Sequence, residues 1–128
     1  MDKRPALDSD VIIDYLRGLP AAANFIRGLS ERPLISAITV GELYSGVRDG
    51  DERRELEIVV SGFRVIQVTR SIAIRAGLYR RQYRKSHGVQ LPDALIAATA
   101  DEMRAQLFTL NIGHFPMILD ARMPYHKV

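Results

Sequence analysis

Short apolar segments alternate with longer amphipathic segments along this chain, and this alternation restricts the fold more than any other feature. The short segments predict strands at residues 1–8, 33–36, 63–68, 107–110 and 117–119. The amphipathic segments predict helices at residues 11–17, 21–29, 39–47, 52–61 and 70–87, and one more that opens at Pro92-Asp93. Because strands that alternate with helices form parallel sheets, we predict an α/β fold with a short parallel sheet and helices on both faces.

The size and composition of the chain limit the classes of protein to which it belongs. Its 128 residues suffice for a single domain, residues 1–128, but not for two. There is no cysteine, so disulfides and thiolate metal sites are excluded. No apolar run approaches the ~20 residues of a membrane span, and the first ten residues lack the apolar core of a secretory signal. We therefore expect a cytoplasmic protein without a membrane partner.

A basic segment occupies the middle of the chain. Residues 61–92 contain seven cations and no acid, although the net charge of the whole chain is only +3. Four of these cations follow one another closely on the predicted long helix: Arg80, Arg81, Arg84 and Lys85. The pattern is typical of a solvated helix face, and it also suits nucleic acid, because the guanidinium fork donates paired hydrogen bonds to phosphate.

Three acids fall where the predicted fold brings side chains together. Asp8 follows the first strand, Glu42 lies near the start of the helix after the second, and Asp93 opens the helix before the fourth. Asn111, at the end of that last strand, should face the same crevice, because helix starts and strand ends share one edge of such a sheet. Carboxylates gathered at one edge repel, and Mg²⁺ or Mn²⁺ relieves that repulsion.

Each acid also has a purely structural explanation. Asp8 could cap the first helix, where Ser9 and Asp10 are also plausible caps. Glu42 fits a capping box in which it reaches back to the Thr39 amide. Asp93 is favoured near a helix N-terminus whatever its function. The coincidence of all three at one edge, beside a basic helix, favours a metal site.

Four segments resemble, in order, the motif blocks of PIN-domain ribonucleases, and most closely the VapC-type toxins of toxin–antitoxin pairs. The segments are ALDSDVIIDYL, SAITVGELYSGV, LPDALIAATA and LFTLNIGHFPMI. The resemblance implies that Asp8, Glu42 and Asp93 bind Mg²⁺ or Mn²⁺ and that Ser9 supports the first acid. It further implies a metal-dependent endoribonuclease that hydrolyses RNA, forms a homodimer and is inhibited by a cognate antitoxin whose segment enters the acidic groove. The basic helix would then contact the RNA backbone.

The final block departs from the family pattern. The family's final motif resembles T-x-N-x-x-D-F or T-x-D-x-x-F. At that position this chain has Thr109-Leu110-Asn111-Ile112-Gly113-His114-Phe115. The fourth acid is absent, Asn111 supplies only a neutral oxygen, and His114 stands where an aspartate often does. We expect His114 to pack beside Phe115 rather than to contact substrate.

Other functions remain open at this point. Asp8-Ser9-Asp10-Val11 fits the opening motif of haloacid-dehalogenase-type phosphatases, but that family needs a later lysine and an acidic pair. Lys85, the only lysine between Lys3 and Lys127, lies within the basic helix instead. A receiver domain would place its phosphoacceptor after a mid-chain strand, where residues 49–57 predict a turn and a helix. The domain could also bind RNA or a protein without cleaving anything.

Overall fold

The computed structural model describes residues 3–127, which form an α/β fold. The strands are Pro5–Leu7 (β1), Leu34–Ser36 (β2), Arg64–Ile66 (β3) and Gln106–Phe108 (β4). The helices are Ser9–Leu16 (α1), Pro20–Arg27 (α2), Ala37–Ser45 (α3), Asp51–Ser61 (α4), Arg70–His87 (α5) and Leu91–Glu102 (α6), with a short 3₁₀ helix at Ile112–His114. Residues 1–2, which fall within the first predicted strand, lie outside the described part. The strand is shorter than predicted, since β1 begins at Pro5.

The described strands form one parallel sheet in the order β3-β2-β1-β4. Ala6 of β1 pairs with Leu34 on one side and with Leu107 on the other, which makes β1 an inner strand. The chain runs outward from β1 through β2 to β3 and then crosses to the far side of β1 to form β4. The order of strands therefore reverses between β1 and β4, and in open α/β sheets such a reversal opens a crevice at the carboxyl ends of the strands.

The two faces of the sheet bury different sets of apolar side chains. Ala6, Leu34 and Leu107 pack with residues of α5 and α6 on one face. Leu7 and Ile35, the next residues of β1 and β2, pack with residues of α1, α3 and α4 on the other. This separation follows from the strand period of two, which sends successive side chains to opposite faces. The predicted helices on both faces are confirmed.

The basic helix α5 begins and ends where the sequence predicts, at residues 70 and 87. Its first turn is capped by Thr69, whose hydroxyl accepts a hydrogen bond from the Ile72 amide over 3.1 Å. Its last turn is closed by Gly88 in the left-handed conformation, at φ 63°. Ile72 and Ala76 are buried against α6, and the arginines in the second half of α5 lie on the more exposed sides of the helix.

The predicted strand at residues 117–119 is wrong. That segment forms turns, and Leu119 is 98% exposed, so it contributes nothing to a buried sheet. Instead the chain returns to the sheet slightly later, where Arg122 bridges to Phe108 of β4. The tail is anchored as well: Tyr125 donates a hydrogen bond to the buried Asp14 carboxylate over 2.8 Å.

None of the helices within residues 3–127 is both long and apolar enough to cross a membrane.

Candidate active site

Asp8 lies at the centre of the crevice, between the end of β1 and the start of α1. Of the three candidate caps, Asp8, Ser9 and Asp10, it is Asp8 that caps α1, because its own Oδ1 accepts the Ser9 amide over 2.8 Å. The Ser9 hydroxyl lies 3.4 Å from the same oxygen, which places it beside the first acid as the resemblance implies. The other oxygen, Oδ2, accepts a hydrogen bond from the Thr109 hydroxyl over 2.8 Å.

Asp10 joins the site, although the sequence analysis treated it only as a possible helix cap or phosphatase acid. Its Oδ2 accepts hydrogen bonds from the Leu110 amide over 3.0 Å and from the Asn111 side-chain amide over 2.9 Å. Its Oδ1 is buried, with no hydrogen-bond partner among residues 3–127. Asn111 is therefore a partner of Asp10. The available signal was the Asp8-Ser9-Asp10 spacing, which puts both carboxyl groups in the first turn of one helix.

Thr109 is a second site residue that no sequence pattern indicated. It follows β4, its side chain is fully buried, and its hydroxyl accepts the Asn111 amide over 3.0 Å while it donates to Asp8. It therefore connects the loop after β4 to the carboxylate after β1, the two strands that flank the crevice.

Glu42 lies at the exposed rim of the crevice, in the second turn of α3. The predicted capping box with Thr39 is wrong, because α3 begins two residues earlier than expected, at Ala37. Its cap is Ser36, whose hydroxyl accepts the Ile38 amide over 3.1 Å, and Thr39 is buried inside the helix. The Glu42 carboxylate is therefore not used as a cap.

Asp93 lies in the first turn of α6, half-buried, on the other side of the crevice. Its Oδ2 is 3.4 Å from Nδ1 of His114. The expectation that His114 packs beside Phe115 is wrong: the His114 side chain is exposed and faces Asp93, whereas Phe115 alone turns into the core. An imidazole thus stands beside the third acid.

The acids raise one another's pKa. Burial is the main reason that the pKa of Asp8 is raised, with a further contribution from the charge of Asp93, against hydrogen bonds from Thr109 and Ser9 that lower it. Burial and the charge of Asp8 raise the pKa of Asp10 to about 6. Partial burial of its carboxyl, followed by the charges of Asp8 and Asp93, raises the pKa of Glu42.

The pKa of Asp93 is likewise raised, mainly by burial and to a smaller extent by Asp10, although His114 lowers it. Ionising all four carboxyl groups together is therefore unfavourable for the chain by itself.

The donor set fits a hydrated divalent cation. It consists of carboxylate oxygens, which Mg²⁺ and Mn²⁺ prefer, and it includes the unpartnered Oδ1 of Asp10. Within residues 3–127, however, no three acidic or imidazole groups stand close enough together to form a complete protein cage. Mg²⁺ usually keeps several of its waters in protein sites. The arrangement therefore suits an ion that is held partly through water.

Two grooves border the acidic crevice. The first encloses about 520 Å³ between α5 and the start of α6. Its lining residues are Gly77, Arg80, Arg81, Arg84, Gln90, Leu91 and Pro92. Lys85, predicted to act with these arginines, is not among its lining residues. The second groove encloses about 670 Å³, has an apolar floor and carries Glu42 at its edge. Its floor is formed by Ile13, Leu16, Leu43, Val47 and Leu56.

Residues 6–115 match the PIN domain family. The chain belongs to the PIN domain family. The resemblance found in the sequence is thereby confirmed, and so is the single α/β architecture that it implied. The phosphatase and receiver-domain hypotheses are set aside, because the family match covers residues 6–115, which include both Asp8-Ser9-Asp10-Val11 and residues 49–57.

Relatives of this PIN domain are found among curated proteins and solved structures. It is 45% identical over 122 residues to Ribonuclease VapC10 of Mycobacterium tuberculosis, which covers 93% of this chain and 91% of the relative. It is 41% identical to Ribonuclease VapC19 of the same organism, over 93% of this chain and 98% of the relative. A toxin–antitoxin complex from Klebsiella pneumoniae contains a chain with a TM-score of 0.84 and 28% identity, over 96% and 99% of the two chains.

Proposed function

We propose that this PIN domain is a metal-dependent endoribonuclease toxin that hydrolyses RNA phosphodiester bonds and is inhibited by a cognate antitoxin. The observation that carries the proposal is the group of carboxylates at the reversal point of the sheet, each of which has a raised pKa. The names of the relatives, which are ribonucleases and a toxin–antitoxin complex, support the same activity.

Asp8, Glu42 and Asp93 would hold Mg²⁺ or Mn²⁺, directly or through water, and the unpartnered Oδ1 of Asp10 would be available to the same ion. When bound, such an ion activates water and offsets the charge that develops on a phosphoryl group. Thr109 and the Ser9 amide keep the Asp8 carboxylate in one orientation through hydrogen bonds to both of its oxygens. Asp10 fixes the loop after β4 against α1, so the wall of the crevice stays in place.

The second groove suits the antitoxin. Its apolar floor would accept the apolar side of a peptide segment. Its four acids would attract a basic residue because they outnumber its two arginines: the lining contains Glu42, Asp51, Glu52 and Glu55 against Arg17 and Arg48. A basic side chain placed beside Glu42 would also reduce the repulsion among the carboxylates of the crevice, which a metal ion otherwise relieves. We therefore propose that the antitoxin competes with the metal site, and that the chain forms a homodimer as its family resemblance implies.

An RNA-binding or protein-binding PIN module without nuclease activity is the alternative. It is favoured by one observation, that no three acidic or imidazole groups within residues 3–127 form a complete protein cage for an ion. The two functions differ in whether the carboxylates are needed for RNA cleavage.

The deciding experiment is RNA cleavage by the purified, antitoxin-free chain, with Mg²⁺, with Mn²⁺ and with a chelator. Asp93→Asn and Glu42→Gln are compared with Asp120→Asn and Glu57→Gln, which remove the same charges at exposed ion pairs outside the crevice. Circular dichroism verifies that each variant is folded. We expect metal-dependent cleavage that the two crevice variants lose and the two controls keep. Metal-independent cleavage, or equal activity in all four variants, would overturn the proposal.

A further inference from the structure

We propose that the groove between α5 and α6 holds the phosphodiester backbone of single-stranded RNA beside the acidic crevice, and that Gly77 keeps the floor of this groove open for it. The inference rests on the proposed RNA substrate and adds the surface by which that substrate is held.

The arginines of this groove have no acidic partner in the described part of the chain. Arg53 on α4 is paired with Asp49 and Glu57, and Arg75 on α5 approaches Asp101 and Glu102. In contrast, no carboxylate of residues 3–127 lies within ion-pairing distance of Arg80, Arg81 or Arg84. Three neighbouring guanidinium groups without a partner repel one another, so an anion bound there would be stabilised.

The spacing of these residues suits a polyanion. Arg80 and Arg81 follow Gly77 by three and four residues, and Arg84 follows them by four and three, so all four residues lie toward one side of α5. Arg80 and Arg84 are separated by one turn, about 6 Å along the helix axis, which is comparable to the distance between neighbouring phosphates of an extended strand. The guanidinium fork matches a phosphate with two parallel hydrogen bonds.

The position of the groove favours a nucleic-acid strand over an acidic peptide. Pro92 lines the groove, and the next residue, Asp93, belongs to the acidic crevice. A chain that lies along the arginines therefore reaches the carboxylates directly. Only a phosphodiester backbone has both a uniform charge for the groove and a bond that such a crevice would hydrolyse.

Gly77 supports the ligand groove independently of the charges of the arginines. Glycine within a helix is unfavourable relative to alanine, yet α5 places one at its centre. Backbone conformation does not require it, since Gly77 is not among the described glycines with positive φ. Packing does not require it either, because a Cβ at this position would have no heavy atom within 4 Å. The hydrogen side chain leaves the floor of the groove bare, which permits close approach of a ligand.

The first test measures RNA binding without cleavage. The full chain is titrated into a fluorescent single-stranded oligouridylate in chelator, and anisotropy is followed at several salt concentrations. The double variant Arg81→Gln/Arg84→Gln should bind roughly tenfold more weakly, and the slope of log affinity against log salt should shrink by about 0.7 for each phosphate that the variant no longer neutralises. Arg53→Gln/Arg54→Gln, which removes the same charge from α4, should leave both values near those of the parent.

The second test separates a ligand groove from a merely structural feature. Gly77→Ala should raise the melting temperature by a few degrees, because alanine favours the helix. It should nevertheless weaken RNA binding several-fold, because the new methyl group occupies the floor. A weaker affinity together with a lower melting temperature, or an unchanged affinity, would overturn the role of Gly77.

Failure of this inference is distinguishable from failure of the proposed function. Metal-dependent cleavage with an RNA affinity that the arginine variants do not change, or that the α4 control weakens equally, would overturn the groove and leave the nuclease. RNA binding that depends on the groove, in a chain that cleaves nothing with Mg²⁺ or Mn²⁺, would overturn the nuclease and leave the groove. RNA affinity that only the groove variants lose supports the inference in either case.

Discussion

The acidic crevice has a buried half and a rim, and the two halves are built differently. Asp8 and Asp10 lie in the buried half, and hydrogen bonds from the loop after β4 hold both carboxyl groups. Glu42 and Asp93 lie at the rim, each on a helix from a different part of the chain. The buried half joins residues that are about a hundred positions apart in the sequence, whereas the rim acids have little part in joining the fold.

This difference indicates that the buried acids stabilise the fold in addition to their proposed part in catalysis, whereas the rim acids have only the proposed catalytic part. Removing a rim acid relieves repulsion and leaves the packing intact. Removing a buried acid also leaves hydrogen-bond donors without a partner, which costs about 1–3 kcal/mol for each buried group.

We expect the largest effect when one acid from each half of the crevice is replaced and both RNA cleavage and melting temperature are measured. Glu42→Ala should lower RNA cleavage by roughly 10²–10³-fold, since an ion that contributes several kcal/mol is bound less well, while its melting temperature stays equal or rises. Asp8→Ala should lose as much cleavage and also melt earlier, because α1 loses its cap and Thr109 its acceptor. Cleavage assays and thermal unfolding measure the two effects. Equal melting temperatures for both variants would contradict the distinction between the buried half and the rim of the crevice.

The next effect concerns pH. Asp10 holds its proton up to about pH 6 in the folded chain, whereas its usual pKa is 3.8. Protonation therefore favours the folded state, and this contribution is complete below pH 4 and is lost as the pH rises through 6. In chelator, the parent should lose unfolding free energy over this range from Asp10, by less than the ~3 kcal/mol that the full shift corresponds to, because solvent screens this partly exposed carboxyl group. Asp10→Asn should lose less. Chemical denaturation at each pH measures the free energy of unfolding. If this free energy changes with pH equally in the parent and in Asp10→Asn, the raised pKa of Asp10 is contradicted.

A smaller effect tests the link between the two strands. Thr109→Val keeps the shape of the side chain but removes the hydroxyl that donates to Asp8, so stability should fall by about 2 kcal/mol. Metal affinity should also fall, because the Asp8 carboxylate loses its orientation. Thr99→Val is the matched control, since its buried hydroxyl only returns a bond to Leu95 of its own helix. If both variants bind metal equally well, Thr109 has no role in the site.

We expect the smallest effect when a hydrogen bond to a buried acid outside the crevice is removed. Asp14 is held by Tyr125 and by Lys127, whose Nζ lies 2.9 Å from Oδ1, so a cation from the tail already compensates it. Tyr125→Phe should lower stability by about 1 kcal/mol without changing metal binding or cleavage. A loss of metal binding in this variant would mean that the tail supports the crevice, and the contrast between compensated and uncompensated buried acids would fail.

The sequence predicted the features that depend on local periodicity. The bounds of α5 were correct because its apolar spacing, its Thr69 cap and its Gly88 terminator all lie within the helix or beside it. The parallel sheet followed from the alternation of elements, and the positions of Asp8, Glu42 and Asp93 at one edge followed from the sheet.

The features that depend on distant contacts were missed. The role of Asp10 depends on the Leu110 amide, a hundred residues later, and no local pattern records that contact. The start of α3 was misplaced because Thr39 resembles a cap, while the real cap is Ser36. The strand at residues 117–119 was predicted from short apolar spacing, although tertiary structure leaves Leu119 in solvent.

The most direct test of the central claim is calorimetric titration of Mn²⁺ into the metal-free chain, repeated with the folded double variant Glu42→Gln/Asp93→Asn and with the control Asp120→Asn/Glu57→Gln. We expect saturable binding of Mn²⁺ to the parent and to the control, and loss of that binding in the crevice variant. Binding of equal strength to all three proteins, or no binding to the parent, would contradict the claim that these carboxylates form a cation site.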